Sequence, residues 1–308
     1  MSSFLIALST VSVMLLYAMP GYLLVKTKLI KRESISDFAK LLMYVSQPSL
    51  IIYSMMRVES SKELLGDMIF VFAFLIILMT AILLFFRLVI FRKRAKEVRY
   101  RIYTLATCFS NCAFMGVPIL EALLPEYPQS VAFSAMFSLA MNILGWTLGS
   151  AIITDNKKYM SVKKIILNPA VLSLIVAIPL FLLDVELPQK LSEMIILLAR
   201  MTTPLCMLIM GMRLACARIR SVFSAPMQYL IIALKQVLLP IVALFLLMLF
   251  PVSNELRASV YIMIACPVAS VVLNFAEMLG EGQETAANLV LLSTGLSALT
   301  IPIMVLIL

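Results

Sequence analysis

Residues that interrupt helices and can form hydrogen bonds lie inside an apolar stretch at residues 108–118. Pro118 removes a backbone donor and clashes with the carbonyl four residues earlier, and Gly116 loosens the same turn. The side chains of Ser110 and Asn111 can bond a freed backbone group or a ligand. The pattern predicts a broken helix that offers polar groups to a small bound molecule.

A second interrupted stretch lies near the C-terminus and contains Pro267, Ser270 and Asn274. Its break is predicted at residues 271–274, although no Gly-x-Pro triplet occurs there. In a third apolar run, Gln47 precedes a proline and could line a cavity. Irregular backbone inside a membrane is tolerated only where protein or water covers it, so these interruptions indicate a site. The alternative is that they are kinks with a packing role.

Two cations, Arg200 and Lys235, lie about nine residues inside apolar runs. A charge at the bilayer centre costs a few kcal/mol, so it normally faces a cavity or a partner. Half-helix N-termini carry partial positive charge, and together with these cations they favour an anion. Either cation could be a counter-charge or stand in for a coupling sodium. Snorkelling to the membrane surface is the alternative.

The amino-acid composition indicates that these residues belong to an integral membrane protein. The chain has 308 residues, of which 63% are hydrophobic and only 13% charged. A soluble domain of this size needs more polar surface, so a soluble enzyme is excluded. The absence of histidine removes His-based catalysis and His metal sites, and the five cysteines have no CxxC spacing. We therefore expect no enzyme activity, no cofactor and no metal.

Ten apolar runs are long enough to cross the bilayer. Nineteen of the 25 Lys and Arg residues flank loops on one side and only four lie on the other. This asymmetry predicts a multi-pass plasma-membrane protein with both termini outside, and the net charge of +9 then reports orientation, not nucleic-acid binding. The predicted spans, numbered one to ten, are residues 4–25, 38–56, 68–91, 101–124, 130–153, 165–183, 191–215, 226–250, 257–279 and 286–308.

Short matches between the two halves indicate an inverted internal repeat of five plus five spans. An odd number of spans per half gives the halves opposite orientations, and transport sites lie at the interface of such repeats. The matched pairs are Pro20 with Pro179, Pro48 with Pro204, and Glu126 with Glu281, at offsets of 159, 156 and 155. The predicted division is a first repeat at 1–153, a cytoplasmic linker at 154–164 and a second repeat at 165–308.

Over essentially its whole length the sequence resembles the auxin efflux carrier family, which includes PIN-type auxin exporters and bacterial malate or malonate permeases, and the resemblance is most specific in four segments. Each segment is short, but the order and spacing of all four together are fairly specific for the family. The segments are Asn111–Pro118, Asn168–Pro169, Pro204 with Gly211, and Leu292–Pro302.

The resemblance implies an all-α fold in which spans four and nine cross at their breaks. It further implies a scaffold domain of spans one, two, six and seven, a transport domain of the other six, elevator-type movement and a homodimer. Asn111, Gly116 and Pro118 match the family's crossover in span four. At Val272 the family often has a proline, so the crossover in span nine departs from the pattern.

Three classes of function compete at this stage. The first is a secondary transporter of a small organic anion, auxin-like or a dicarboxylate such as malate or malonate. The second is a proton- or sodium-translocating antiporter or channel-like protein that uses the same crossed helices, with H⁺ or Na⁺ as the coupling ion. A membrane enzyme or receptor is disfavoured because no span carries an acidic pair or a metal-binding motif.

Overall fold

The computed structural model describes residues 2–308, apart from the side chains of Lys157 and Ile219. The described chain is almost entirely helical. Within the described residues, six helical segments are long and apolar enough to cross a membrane, which agrees with an integral membrane protein. These segments are Ser3–Lys26, Lys62–Ile90, Gln129–Thr154, Gln189–Cys216, Pro226–Leu247 and Gln283–Val305.

Predicted spans two, four, six and nine are not among these six segments. Span six is an apolar helix of 14 residues, and the other three are divided by π-helical turns or by breaks. The prediction of ten spans therefore goes beyond what helix length and composition establish.

The first half of the chain, as described from residue 2, forms nine α-helices. They are α1 (Ser3–Leu16), α2 (Ala18–Lys26), α3 (Ile35–Leu41), α4 (Gln47–Met56), α5 (Lys62–Phe85), α6 (Val98–Cys108), α7 (Val117–Leu123), α8 (Gln129–Leu144) and α9 (Ser150–Thr154). Predicted spans one, two, four and five are each built from two of these helices in succession.

The second half forms ten further α-helices. They are α10 (Val162–Ile166), α11 (Pro169–Leu182), α12 (Gln189–Arg200), α13 (Thr202–Cys216), α14 (Ile219–Phe223), α15 (Pro226–Ala233), α16 (Leu239–Leu247), α17 (Asn254–Ala265), α18 (Val271–Leu279) and α19 (Gln283–Val305). Short 3₁₀ turns at Arg32–Ser34, Arg92–Arg94 and Lys157–Tyr159 lie in connecting segments.

Polar side chains fix where several of these helices begin. Ser61 accepts a hydrogen bond from a backbone N–H in the first turn of α5, Asn168 does the same for α11, and Ser253 for α17. Such caps satisfy donors that have no partner inside the helix. Since no water is available within a bilayer, satisfied helix ends help to define where a span starts.

Wide turns accommodate three prolines within apolar helices. π-helical turns at Leu42–Ser46, Cys112–Gly116 and Leu234–Leu238 each end two residues before a proline. A proline has no N–H for the usual bond, and its ring displaces the carbonyl four residues earlier. Rearrangement to the wider π turn absorbs this displacement, so these helices continue through their prolines without a break.

Close packing joins the predicted scaffold spans. Gly21 on α2 lies against the backbone of Leu208 on α13, and Gly211 on α13 lies against the backbone of Ala18 on α2. A Cβ atom at either glycine would overlap a backbone carbonyl of the facing helix. The two helices thus contact each other backbone to backbone, and α4 packs against α11 and α12 in the same part of the molecule.

A charged cluster joins the ends of spans three, four and five. Arg87 pairs with Asp155, and Arg101 lies 3.9 Å from the same carboxylate. Arg101 also donates to the carbonyl of Ile153 at 3.1 Å, and both arginines donate to the carbonyl of Ala95. The cluster satisfies carbonyls that helix ends leave free and fixes the position of α6, which leads to the first break.

Candidate functional site

The helices of spans four and nine are both broken, and the two breaks contact each other. Span four is interrupted between α6 and the π-helical turn at Cys112, and span nine between α17 and α18. Asn111 N–H donates to the carbonyl of Pro267 at 2.8 Å, and Ala269 N–H donates to the carbonyl of Phe109 at 3.0 Å. These bonds form one antiparallel bridge, which satisfies backbone groups that the breaks release.

The ammonium group of Lys235 lies at this crossing. Its side chain is buried, with 1% of the residue exposed, although it belongs to the π-helical turn of span eight. Nζ donates to the Ser110 hydroxyl and, at 2.6 Å, to the carbonyl of Ile264. Since Ile264 lies in the last turn of α17 and Ser110 lies in the first break, one cation connects both interrupted helices.

Span ten supplies further partners for the crossing. Ser293 on α19 accepts a hydrogen bond from the Val268 N–H at 3.1 Å. The next residue after Lys235, Gln236, donates to the Ser293 carbonyl at 3.0 Å and accepts from the Thr300 hydroxyl at 3.3 Å. The crossing is therefore a network in which spans four, eight, nine and ten share buried polar groups.

Both breaks differ in position from the sequence-based predictions. The break in span four falls at residues 109–111, not at Gly116 and Pro118, because the π-helical turn accommodates the proline. The break in span nine falls at residues 266–270, not at 271–274, and it contains Pro267. Asn274 instead lies inside α18.

Gly116 and Pro118 lie on either side of the junction between the π-helical turn and α7. Gly116 faces Cys266 of span nine, where a Cβ atom would meet the sulfur at 3.4 Å. The carbonyl four residues before Pro118 belongs to Phe114. Because proline has no N–H, this carbonyl does not receive the usual helical hydrogen bond from residue 118. The Thr203 hydroxyl of α13 donates to it at 2.8 Å, so a helix of the predicted scaffold satisfies the group that the proline frees.

A cavity of about 730 Å³ lies beside Pro118. It is lined by α1, α4, α7 and the junction of α12 with α13, and it contains two guanidinium groups, those of Arg57 and Arg200. Arg57 pairs with Glu121, which also accepts a hydrogen bond from the Tyr53 hydroxyl at 3.1 Å. Arg200 is exposed to the cavity and forms no ion pair within the described part of the chain.

The remaining predicted residues occupy other positions. The side chain of Asn111 is buried, and its amide lies beside the Cys206 thiol of α13. Ser270 directly precedes α18, and Asn274 donates to the Met43 sulfur of span two at 3.8 Å. Gln47 begins α4 and is partly buried.

Most of the predicted residues thus lie in two places, the crossing and the cavity. The crossing brings together Lys235, Ser110, Asn111 and Pro267, with Gly116 packed beside it. The cavity contains Arg200 and Pro118, and no hydrogen bond in the described residues joins Arg200 to the crossing. In residues 2–308 no three His, Cys, Asp or Glu side chains are grouped as metal ligands.

Sequence reasoning missed the Arg57–Glu121 pair and the roles of Thr203 and Ser293. Their partners are distant in the chain: the pair is separated by 64 residues and the Thr203 bond by 89. One signal was present in the sequence. Arg57 and Glu121 match Arg213 and Glu277 at the offset of 156 that relates Pro48 to Pro204.

A family profile described as "Membrane transport protein" matches residues 6–305. The match includes all four segments on which the resemblance to the auxin efflux carriers rests, and it confirms that resemblance. None of the curated proteins matches the chain.

Proposed function

The chain belongs to the membrane transport protein family, the auxin efflux carriers, and on that premise we propose that it is a secondary transporter of a small organic anion. The observation that carries this proposal is the cavity beside the crossing, in which Arg200 forms no ion pair with any described residue. A volume of about 730 Å³ falls within the usual range for small-molecule sites. A guanidinium group recognises a carboxylate through two parallel hydrogen bonds.

The crossing supplies a second positive centre at the predicted membrane midplane. Lys235 bonds two acceptors from the broken helices, and the Asn111 amide lies in the same region. An anion that enters past Arg200 would meet this fixed charge next. The substrate class we propose is a small carboxylate, auxin-like or a dicarboxylate such as malate or malonate.

The transport mechanism we propose is elevator-type alternating access. It assumes ten spans in two inverted repeats with both termini outside, with spans one, two, six and seven as scaffold. The backbone contact between α2 and α13 supports a rigid scaffold, and the polar network at the crossing supports a transport domain that moves as one unit. We further propose a homodimer in the plasma membrane, as the family relationship implies.

The alternative is a proton- or sodium-translocating protein that uses the same crossing. One observation favours the anion transporter over a sodium-coupled protein. The Lys235 ammonium occupies the acceptors at the crossing, Ser110 Oγ and the Ile264 carbonyl, which a bound sodium ion would otherwise use.

Uptake of a labelled dicarboxylate and a labelled indole acid into proteoliposomes tests the proposal. Arg200→Gln should raise the KM roughly ten- to a hundredfold, as expected for the loss of a charged hydrogen bond worth about 1.5–3 kcal/mol. Arg92→Gln, which neutralises an exposed arginine on a connecting segment, is the matched control and should transport normally.

Two results would contradict this function. The first is an Arg200→Gln variant with an unchanged KM for every transported anion. The second is the absence of anion uptake by the wild-type protein in vesicles that show proton or sodium flux, which would favour the alternative.

A further inference from the structure

Two ion pairs occupy corresponding positions in the two halves of the chain. Arg57 pairs with Glu121, and the Arg213 Nη2 atom lies 3.8 Å from the Glu277 carboxylate. The two arginines are 156 residues apart in the sequence, and so are the two glutamates. This offset equals that between Pro48 and Pro204 in spans two and seven, and it differs by one residue from the 155 that relates Glu126 to Glu281 in spans four and nine. The predicted inverted repeat therefore relates one pair to the other to within one residue.

Each pair connects the predicted scaffold with a half-helix beyond a break. Arg57 follows α4 and Arg213 lies in the last turn of α13, both in scaffold spans. Glu121 lies on α7 and Glu277 on α18, both in the predicted transport domain. In the predicted topology, the Arg57 pair lies toward the outer surface and the Arg213 pair toward the inner one.

The two pairs differ in how closely they are formed. The outer pair is in direct contact and is supported by Tyr53, whose ring lies 5.5 Å from the Arg57 guanidinium. The inner pair is longer, and the Arg213 Nη1 atom is buried without a hydrogen-bond partner in the described residues. An unpartnered guanidinium nitrogen is costly, so Arg213 is better satisfied when Glu277 moves closer.

We propose that these two ion pairs are alternating latches of the transport cycle: the outer pair closes in the state described here, and the inner pair closes in the opposite state. The inverted repeat supplies the reason, because exchange of the two halves' conformations converts one state into the other. Movement of the transport domain would then lengthen Arg57–Glu121 while it shortens Arg213–Glu277. This inference rests on the alternating access of the proposed function.

The test measures the equilibrium between the two states without any substrate. Thr10 on α1 lines the cavity, and a Thr10→Cys reporter is labelled with a membrane-impermeant maleimide in lipid nanodiscs. Cys216 is replaced by alanine, since the other four native cysteines are buried. The same protein without the reporter gives the background labelling rate.

Opposite shifts are expected from the two single neutralisations. Glu121→Gln should slow labelling of the reporter about two- to fivefold, and Glu277→Gln should accelerate it by a similar factor, as expected for ion pairs worth up to about 1 kcal/mol. The double variant should label near the parent rate. Glu97→Gln removes an exposed pair of 2.8 Å with Arg99 at the start of α6 and is the matched control, with no shift expected.

Shifts in the same direction, or the absence of a shift in one of the two variants, would overturn the proposal. The charge-swapped variant Arg57→Glu with Glu121→Arg separates a lost latch from a folding defect, because it should restore the parent labelling rate. Failure to restore that rate in folded protein also contradicts the latch. Labelling requires no anion, so opposite shifts without anion uptake would refute the proposed function and leave the latches standing.

Discussion

Replacement of Lys235 by methionine should reduce anion transport strongly while it changes the stability of the protein only slightly. Methionine keeps an unbranched side chain of similar length but has no charge and no donor. The variant loses two charge-assisted hydrogen bonds, to Ser110 and to the Ile264 carbonyl. At about 1.5–3 kcal/mol each, this loss amounts to roughly 3–6 kcal/mol.

A second effect opposes most of that loss. A lysine at the centre of a membrane helix costs about 2.5–3.5 kcal/mol, and methionine does not incur this cost. The difference is a destabilisation of about 0–3 kcal/mol, so the variant should still fold. Its thermal unfolding in detergent should move by a few degrees only.

Anion uptake should respond far more strongly than stability. If the ammonium stabilises a bound carboxylate, Lys235→Met should reduce uptake efficiency roughly ten- to a hundredfold, which corresponds to one charged hydrogen bond. The matched control is Lys93→Met, because Lys93 is exposed on a connecting segment. Normal uptake by folded Lys235→Met protein in proteoliposomes would refute the assignment of this charge to the transport site.

Two further predictions concern the framework around the site. Gly211→Ala should lower the free energy of unfolding by about 1–3 kcal/mol because the added methyl group forces two helix backbones apart. Gly66→Ala is the control, because the space around Gly66 is open, and it should not lower this free energy. Equal stability of the two variants in thermal unfolding would contradict the close contact. Thr203→Val should speed hydrogen–deuterium exchange in α7 by removing the bond to Phe114, while Thr147→Val, which loses only a bond within its own helix, should leave that exchange unchanged. Unaltered exchange in the Thr203 variant would show that the bond does not hold α7 in place.

Residue type alone predicts several of the residues that meet at the crossing. Lys235 was recognisable because a cation inside an apolar run needs a partner, and the structure shows that partner in Ser110. Asn111 and Pro267 were recognisable as polar or helix-breaking residues, and a backbone hydrogen bond joins them. Such predictions depend on the cost of burying one group, and a sequence contains that information directly.

The positions of the breaks could not be obtained in the same way. The sequence predicts an interruption at Pro118, whereas a π-helical turn and the Thr203 hydroxyl accommodate this proline. The backbone separates instead at Phe109, where Ala269 of the other half provides a donor. Whether a proline breaks or only widens a helix depends on what the neighbouring helix offers, and this lies far away in the sequence.

The bridge between the two halves also has a consequence for biosynthesis. Ser110 and Val268, which it pairs, are 158 residues apart. At about 5–20 residues per second, the ribosome needs roughly 8–30 s to produce the second partner after the first. Throughout that time the Asn111 N–H and the Phe109 carbonyl lack their final partners, although a bilayer core offers no substitute. Span four must therefore remain beside the insertion machinery or near water until span nine has been synthesised. Only when the two breaks pair at the crossing can span four be fully surrounded by lipid and protein.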